Sequence, residues 1–256
     1  MTESWKTAVL NFDPISLEEM DAVKLMDRTD TKFIFHENDL PLYLDSIVPH
    51  YRILEIAGSR FTRYENIYFD TEKLDFYLDH HNERMNRFKV RYRRYAESGL
   101  SFFEIKYKSN KERTVKERVK TKEIIPEVSG KARSLYNEVV KPDPGEMHPR
   151  LWVDYSRMTF VSKAMNERLT MDIGLHYRSG EKEKKINNLV IAEVKQQRAS
   201  AASPFVKLMH SRHIRPFSIS KYCLGITQVY PWMKKNNFKP KLLTINKLTH
   251  DLENVA

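Results

Sequence analysis

One ten-residue stretch, residues 86–95 with the sequence NRFKVRYRRY, constrains the fold of this chain more than any other. It carries a cation at every second position: Arg87, Lys89, Arg91 and Arg93. In a strand these side chains share one face, with neighbours about 6.6 Å apart. Each neighbouring pair of like charges then costs on the order of 2.5 kcal/mol at an effective dielectric of about 20. The stretch therefore predicts a strand whose charged face meets something anionic.

Several other segments predict strands of the same design, with charged side chains on one face and apolar side chains on the other. The charged or polar members are Lys32, Glu104, Lys106, Lys116, Arg118, Tyr155, Arg157, Arg168, Glu193 and Lys195. Any one of these faces could be the solvated side of a half-buried sheet. Their repetition favours a sheet closed on itself around a charged bore. We therefore predict an α+β fold: a closed eight-stranded antiparallel β-barrel, or tunnel, with helices packed outside and at the ends.

The remaining segments complete this picture. Helical patterns cover residues 16–26, 37–48, 202–212 and 218–230, and the last two each open on a serine cap. No fixed-period repeat or break in composition requires a second domain, so residues 1–256 are predicted to form a single domain.

Composition narrows the class of partner. The formal net charge is +10 with a pI near 9.4, which favours polyanions such as phosphate polymers, nucleotides, nucleic acid or anionic lipid. The single cysteine, Cys223, excludes an internal disulfide framework and a Cys-rich zinc site. No signal peptide and no run of about 18 apolar residues is present. The predicted location is the cytoplasm.

Two glutamates, Glu104 and Glu193, stand among the predicted bore cations. They could form ion pairs with Lys106 and Lys195. Alternatively, one or both could bind a divalent metal, because Mg²⁺ usually takes one or two carboxylates together with substrate phosphates and water. The sequence leaves both readings open.

An ordered series of fragments resembles the catalytic domain of the vacuolar transporter chaperone (VTC) polyphosphate polymerases, in the triphosphate tunnel metalloenzyme superfamily. The series is RTDTKF, YFDT with LDFYLDH, RFKVRYRRY, FFEIKYK, VKERV, DYSR, ERLTMD, IAEVK and SISKY. The resemblance covers roughly residues 15 to 230, leaving short terminal extensions. It implies a tunnel, Mg²⁺ or Mn²⁺, ATP as the phosphoryl donor and a growing polyphosphate chain as the acceptor.

The resemblance also implies roles for individual residues. Matching basic residues hold phosphates in the tunnel and are the candidate catalytic set: Lys32, Arg91, Arg93, Lys106, Lys116, Arg157 and Arg168. Tyr155 joins them, Glu193 matches the metal ligand, and Lys221 with Ser218 or Ser220 matches a phosphate contact at the tunnel mouth. Arg87 and Lys89 are added to the tunnel-lining residues only because they share a strand face with Arg91 and Arg93. Arg118 and Lys195 complete the substrate-binding candidates, and Glu104 is the second candidate metal ligand.

The sequence departs from the superfamily in two respects. The first strand of tunnel phosphatases and cyclases has the pattern Glu-x-Glu-x-Lys. The corresponding alternate positions of this sequence are Arg28, Asp30 and Lys32, which argues against simple hydrolysis. The eukaryotic polymerases also carry a sensing domain and a membrane segment that this sequence lacks. A membrane-protein partner and the oligomeric state are therefore left open.

The sequence-based hypothesis is metal-dependent phosphoryl transfer from ATP to polyphosphate. The alternatives are a non-catalytic binder of polyphosphate or another oligophosphate, and a triphosphate hydrolase of the same fold. Specific nucleic-acid binding is disfavoured, because Tyr92 within residues 86–95 falls on the face opposite the aligned cations, whereas a stacking platform needs both on one face.

Overall fold

The computed structural model describes residues 4–22, 29–110 and 114–250. Arg28, one of the residues weighed above, and residues 23–26 of the first predicted helix lie outside them. The strands, in chain order, are β1 (Pro14–Ile15), β2 (Thr29–His36), β3 (Tyr51–Leu54), β4 (Thr62–Asp70), β5 (Arg87–Tyr95), β6 (Leu100–Lys108), β7 (Thr114–Thr121), β8 (His148–Ser162), β9 (Glu167–Ser179), β10 (Lys182–Ile186) and β11 (Leu189–Gln196).

Helices connect and flank these strands. The α-helices are α1 (Ser4–Ala8), α2 (Leu17–Ala22), α3 (Leu40–Ile47), α4 (Asp75–His81), α5 (Gly130–Val139), α6 (Pro204–Ser211), α7 (Lys221–Val229) and α8 (Lys239–Thr249). Short 3₁₀ turns occur at Val9–Asn11, Glu37–Asp39, Val48–His50 and Asn236–Phe238. The predicted serine caps are confirmed, because Ser203 accepts a bond from the Val206 N–H and Ser220 accepts one from the Cys223 N–H. Within the part of the chain described, no helix is long and apolar enough to cross a membrane.

The strands form one large sheet that is almost entirely antiparallel. Its main path runs β2-β11-β9-β8-β4-β5-β6-β7, while β3 and β10 add to β8 and β9 at the side and β1 pairs with β3 in parallel. The predicted closed eight-stranded barrel is wrong, because β2 and β7 end this path and are not hydrogen-bonded to each other. The mixed α and β content and the antiparallel pairing are observed, but the sheet is open.

The two ends of the path show why the sheet stays open. At the β2 edge, the carbonyl of Lys32 accepts a hydrogen bond of 2.7 Å from the N–H of Phe217, in the segment that leads to α7. That bond occupies a backbone group that a closing strand would need. At the other end, β7 pairs with β6 alone and is exposed over most of its length. Abundant lysine and arginine on an exposed edge strand discourages pairing with further strands.

The convex face of the sheet is covered by helices on two sides. One apolar cluster joins β2, β8, β9 and β11 to α1, α3 and α6, with Phe33, Phe160 and Phe205 fully buried. A second cluster joins β4, β5 and β6 to α5 through Tyr92, Phe103 and other buried side chains. The predicted apolar face of residues 86–95 is therefore confirmed as a core face.

One end of the concave face is also apolar. Ile34, Ile191, Leu151 and Tyr177 lie there in a third cluster, covered by α7 and α8. Helix α7 packs unusually close to the sheet at Gly225: an added Cβ would lie 2.5 Å from the Tyr177 ring and 2.6 Å from Leu151. This contact requires glycine, since real Cβ atoms do not approach so closely. The rest of the concave face is charged.

Candidate functional site

The charged part of the concave face is here called the chamber. Its members are Lys32, Lys89, Arg91, Arg93, Glu104, Lys106, Lys116, Tyr155, Arg157, Asp172, Glu193, Lys195 and Lys221. The sheet curls enough to bring distant strands together, because Lys106 on β6 interacts electrostatically with Lys32 on β2 and Glu193 on β11. The chamber thus gathers most of the residues predicted from the sequence onto one surface.

Glu104 organises the cations of β5 and β7. Arg91 donates to Glu104 Oε2 from Nε at 2.9 Å and from Nη2 at 2.6 Å, and Arg93 Nη1 lies 3.8 Å from the same oxygen. Lys116 forms an ion pair with the other carboxylate oxygen. The Glu104 side chain is 2% exposed. Burial raises the pKa of Glu104, but the three cations outweigh burial and hold that pKa well below its usual range.

Arg93 is oriented by neutral groups of the next strands. Its Nε donates to Asn66 Oδ1 at 2.9 Å, and its Nη2 donates to the Tyr155 hydroxyl at 3.1 Å. The Tyr64 ring stacks on the Tyr155 ring at 5.0 Å, and the Arg93 guanidinium lies 5.0 Å from the centre of the Tyr64 ring. These contacts fix the guanidinium before any ligand binds, which lowers the ordering cost of binding.

Asp172 organises a second group of cations. Arg157 donates to both carboxylate oxygens at 2.5 and 2.7 Å, and Lys221 Nζ lies 2.5 Å from Oδ2. Burial raises the pKa of Asp172, but Arg157 and Lys221 lower it to about 2. Because Lys221 is the first residue of α7, this carboxylate ties the helix to the sheet.

Glu193 forms the third carboxylate centre. It makes an ion pair with Lys195 on its own strand, and its Oε1 lies 3.6 Å from Lys32 Nζ. Burial raises the pKa of Glu193, but Lys195 and Lys32 outweigh burial and keep that pKa low. The Glu193 side chain is 16% exposed, so it remains within reach of a ligand in the chamber.

Two chamber lysines lack such neutralisation. Lys89 and Lys106 lie directly opposite each other on β5 and β6, and Lys106 lies opposite Lys116 on β7. In the portion of the chain described, neither Lys89 nor Lys106 forms an ion pair or a hydrogen bond. Partial desolvation on the chamber surface, followed by neighbouring cations, lowers the pKa of each to about 8. Like charges directly opposite across strands destabilise a sheet, so this pair favours an anion.

The other five predicted residues have different surroundings, and one of them, Arg118, lies directly opposite Glu104 in the β6–β7 register. Arg87 donates to the Arg84 carbonyl at the start of β5, Arg118 lies over the Phe102 ring, and Arg168 donates to the Met20 carbonyl of α2. Ser220 caps α7, and Ser218 is exposed in the segment before it. Their predicted contacts with phosphate remain predictions.

Three residues that contact the chamber cations and orient them, Tyr64, Asn66 and Tyr68, were not identified from the sequence, and a fourth, Asp172, had no role assigned to it. Tyr64, Asn66 and Tyr68 share one face of β4, and this parity was available from the sequence. Their neutral side chains gave no charge signal, however. Asp172 shares a face with Arg168, and its partners Arg157 and Lys221 are distant in sequence.

Of the two predicted metal ligands, Glu193 fits a divalent metal better than Glu104. Glu104 faces three cations, which oppose a further positive ion and favour an ion-pair role, although its partners are Arg91, Arg93 and Lys116 and not the predicted Lys106. No group of three or more His, Cys, Asp or Glu side chains that could hold a metal occurs within residues 4–22, 29–110 and 114–250. A metal at Glu193 would therefore take its other ligands from phosphate oxygens and water, as Mg²⁺ commonly does.

Comparison with known families gives one match over most of the chain. The model of the VTC domain matches residues 27–230, a span that contains all the chamber residues. A search of curated proteins finds no significant match. The match agrees with the resemblance noted from the ordered sequence fragments, and confirms it.

Solved structures give weaker similarities. A putative adenylyl cyclase from Hippeastrum, described as having a dominant triphosphatase activity, is 13% identical, with a TM-score of 0.47 over 79% of this chain and 96% of that chain. A conserved hypothetical protein from Pyrococcus furiosus is 11% identical, with a TM-score of 0.39 over 77% and 100% of the two chains. A protein from Pyrococcus horikoshii is 14% identical, with a TM-score of 0.39 over 75% and 92%. Similarity at this level assigns neither fold nor activity to the present chain.

Proposed function

Because this chain belongs to the VTC domain family, we propose that it transfers the γ-phosphoryl group of ATP to the end of an inorganic polyphosphate chain held in the chamber. Family membership supports the coarser part of this statement, a protein that binds tri- or polyphosphate and acts as a phosphotransferase or hydrolase. ATP as the donor, the polymer as the product and dependence on a divalent metal are the finer parts of the proposal.

The observation that carries the proposal is a pair of lysines without an ion-pair partner in the described residues, although Glu193 and Asp30 act on Lys106 from beyond ion-pair distance. Lys89 and Lys106 face each other at paired positions of β5 and β6, and both interact electrostatically with Lys32. The other chamber cations already have Glu104, Asp172 or Glu193 as partners. An anion of high charge density placed at Lys89 and Lys106 would remove their mutual repulsion. A phosphate group meets that requirement.

The arrangement suits in-line phosphoryl transfer, which needs positioning and charge neutralisation more than a protein nucleophile. Lys89 and Lys106 would neutralise the transferring group, while Arg91, Arg93 and Arg157 bind flanking phosphates from orientations already fixed by their carboxylate and hydroxyl partners. An oxygen of the terminal phosphate of the polymer forms a bond to the γ-phosphorus as the bond to the β-phosphate oxygen breaks. ADP leaves, and the polymer is one unit longer.

A divalent ion bound at Glu193 would supply further neutralisation of phosphate oxygens during the transfer. Lys195 and Lys32 contact the same carboxylate and would have to share it with the ion. Their role is then to hold Glu193 in place before the nucleotide arrives.

Purified protein incubated with ATP and Mn²⁺ is expected to produce long polyphosphate, measured by gel electrophoresis, together with stoichiometric ADP. Release of inorganic phosphate without polymer would identify a triphosphate hydrolase instead. Tight binding of polyphosphate without turnover would identify a binding protein, and titration with and without the metal would then show whether the ion contributes. Failure to bind any of these phosphates would overturn the proposal.

Binding of phosphate is expected to weaken above about pH 8, because Lys89, Lys106 and Lys116, whose pKa values are lowered to about 8, then lose their charge. Lys32, Arg91, Glu193 and Asp30 are other charged groups that act electrostatically on Lys89 or Lys106. The dissociation constant for tripolyphosphate should rise about tenfold between pH 7 and 9.5. The matched variant Lys106→Arg, charged throughout, should show a shallower rise, and an equal rise would contradict the assignment.

The free protein should respond to pH with the opposite sign. Folding lowers the pKa values of Lys89, Lys106 and Lys116 from 10.5 to about 8, so between these limits the unfolded chain binds more protons. Their contribution to the free energy of unfolding therefore rises with pH in this window. Denaturant unfolding at several pH values, without phosphate, gives the free energy of unfolding of the wild type and of the Lys106→Arg variant, and the rise with pH should be smaller in the variant.

A further inference from the structure

The side of the chamber between β2 and β7 has no backbone hydrogen bonds across it in the residues that the structure describes. The β2 edge is bonded at Lys32 by the N–H of Phe217, while the outer edge of β7 faces away from its partner β6. Side chains from the two ends of the sheet nevertheless interact, as Lys106 and Lys32 show. The chamber is thus bounded at this gap by side chains and, on the β2 side, by the backbone of Phe217 and Ile219, which bonds to Lys32, whereas elsewhere the sheet backbone encloses it.

A row of lysines leads inward from the β7 edge. Lys116 lies opposite Lys106, and Lys106 lies opposite Lys89, so the three stand in line across β7, β6 and β5. With adjacent strands about 4.8 Å apart, the row is about 10 Å long and perpendicular to the strands. Lys116 and Lys106 are exposed, and Lys89 is half-buried. A polyanion could therefore contact the row from solvent to interior without crossing an end of the sheet.

One end of the concave face is unsuited to passage of a charged polymer. The apolar cluster of Ile34, Ile191 and Leu151 lies there under α7 and α8, and Gly225 leaves no space between α7 and the Tyr177 ring. Moving a phosphate chain through such a cluster would strip it of water without polar partners, at high cost. A polymer bound in the chamber cannot extend in that direction.

We propose that linear polyphosphate enters the chamber sideways, through the gap between β2 and β7, along the row Lys116, Lys106 and Lys89. An internal stretch of the polymer can then bind without either end being threaded. This inference rests on the proposed function only in taking polyphosphate as the ligand. It follows from the open sheet, since a closed tunnel would admit a chain by its end.

The test compares three forms of one long linear polyphosphate: free, biotinylated at one end and capped with streptavidin, and capped in this way at both ends. Equilibrium binding to the full chain is measured without ATP. Sideways entry predicts dissociation constants within about threefold for all three forms, a difference below 1 kcal/mol. A loss of tenfold or more for the doubly capped chain alone would show that an end must thread, and would overturn the inference.

The free chain separates this inference from the proposed function. If the free chain fails to bind, polyphosphate is not the ligand, and both proposals are overturned. If the free and singly capped chains bind but the doubly capped chain does not, the proposed function stands and sideways entry falls.

A pair of variants on β7 tests the lysine row itself. Lys116 and Lys120 share one face of the strand, but Lys116 lies opposite Lys106 whereas Lys120 lies opposite Phe102. Lys116→Gln should lower the association rate constant of the doubly capped chain about fivefold and weaken its salt dependence. Lys120→Gln should change the rate constant less than twofold. Equal effects of the two variants would contradict entry along the row.

Discussion

Replacing Lys106 by alanine is expected to lower the rate of polyphosphate formation from ATP by about a hundredfold, the usual effect of removing one preorganised group that stabilises developing charge. Lys106 lies between Lys89 and Lys116 in the lysine row and has no carboxylate partner of its own in the part of the chain described. Its charge is therefore available to the transferring phosphoryl group. The measurement is the initial rate of polymer formation at saturating ATP and metal.

Lys108 provides the matched control for this substitution. It lies on the same face of β6, two residues further on, where its register partners are Arg87 and Thr114. Lys108→Ala should retain most of the rate. A Lys106→Ala variant as active as the wild type would remove the lysine row from the mechanism, whereas equal losses in both variants would point to a general effect of charge.

Replacing Glu104 by glutamine is expected to destabilise the free protein by about 3–5 kcal/mol, because breaking a buried ion pair leaves its partners uncompensated. Arg91, Arg93 and Lys116 all lie within ion-pair distance of this carboxylate. Glutamine keeps the shape and one acceptor oxygen but loses the negative charge. Denaturant unfolding of the variant and the wild type measures the difference.

Tripolyphosphate should recover part of the stability lost by Glu104→Gln. A bound anion stabilises the folded protein by mass action, and it would gain more where three cations lack a carboxylate. The increase in unfolding free energy on adding ligand should therefore be larger in the variant than in the wild type. Glu117 is exposed on the face of β7 opposite to Lys116, so Glu117→Gln serves as the control. It should change neither the free energy of unfolding nor its increase on adding tripolyphosphate. Equal increments in Glu104→Gln and the wild type would place the ligand away from Glu104.

The charged strand faces could be predicted from the sequence because strand parity is a local property. The alternation of Arg87, Lys89, Arg91 and Arg93 with Phe88, Val90 and Tyr92 gives the two faces of β5 directly. The helix caps at Ser203 and Ser220 are equally local. These features needed no knowledge of which strands pair.

Closure of the sheet could not be predicted in this way. Whether β2 bonds to β7 depends on contacts between residues far apart in sequence, and the Phe217 N–H at the Lys32 carbonyl decides it at the β2 edge. The partner of each cation raises the same difficulty. Asp172 is joined to Lys221 across 49 positions, and Glu104 collects cations from two neighbouring strands. The residue types were visible in the sequence, but their pairing was not, except for Glu193 with Lys195, which lie two residues apart on one strand.

The absence of a side chain at Gly225 has a consequence beyond packing. Gly225 lies one turn after Lys221, so the depth at which α7 seats against the Tyr177 ring also sets the reach of the Lys221 ammonium toward Asp172. A single methyl group at this position would lift the helix and draw that ammonium away from its carboxylate. The distance between Gly225 and the Tyr177 ring therefore controls the ion pair that neutralises Asp172 in the chamber.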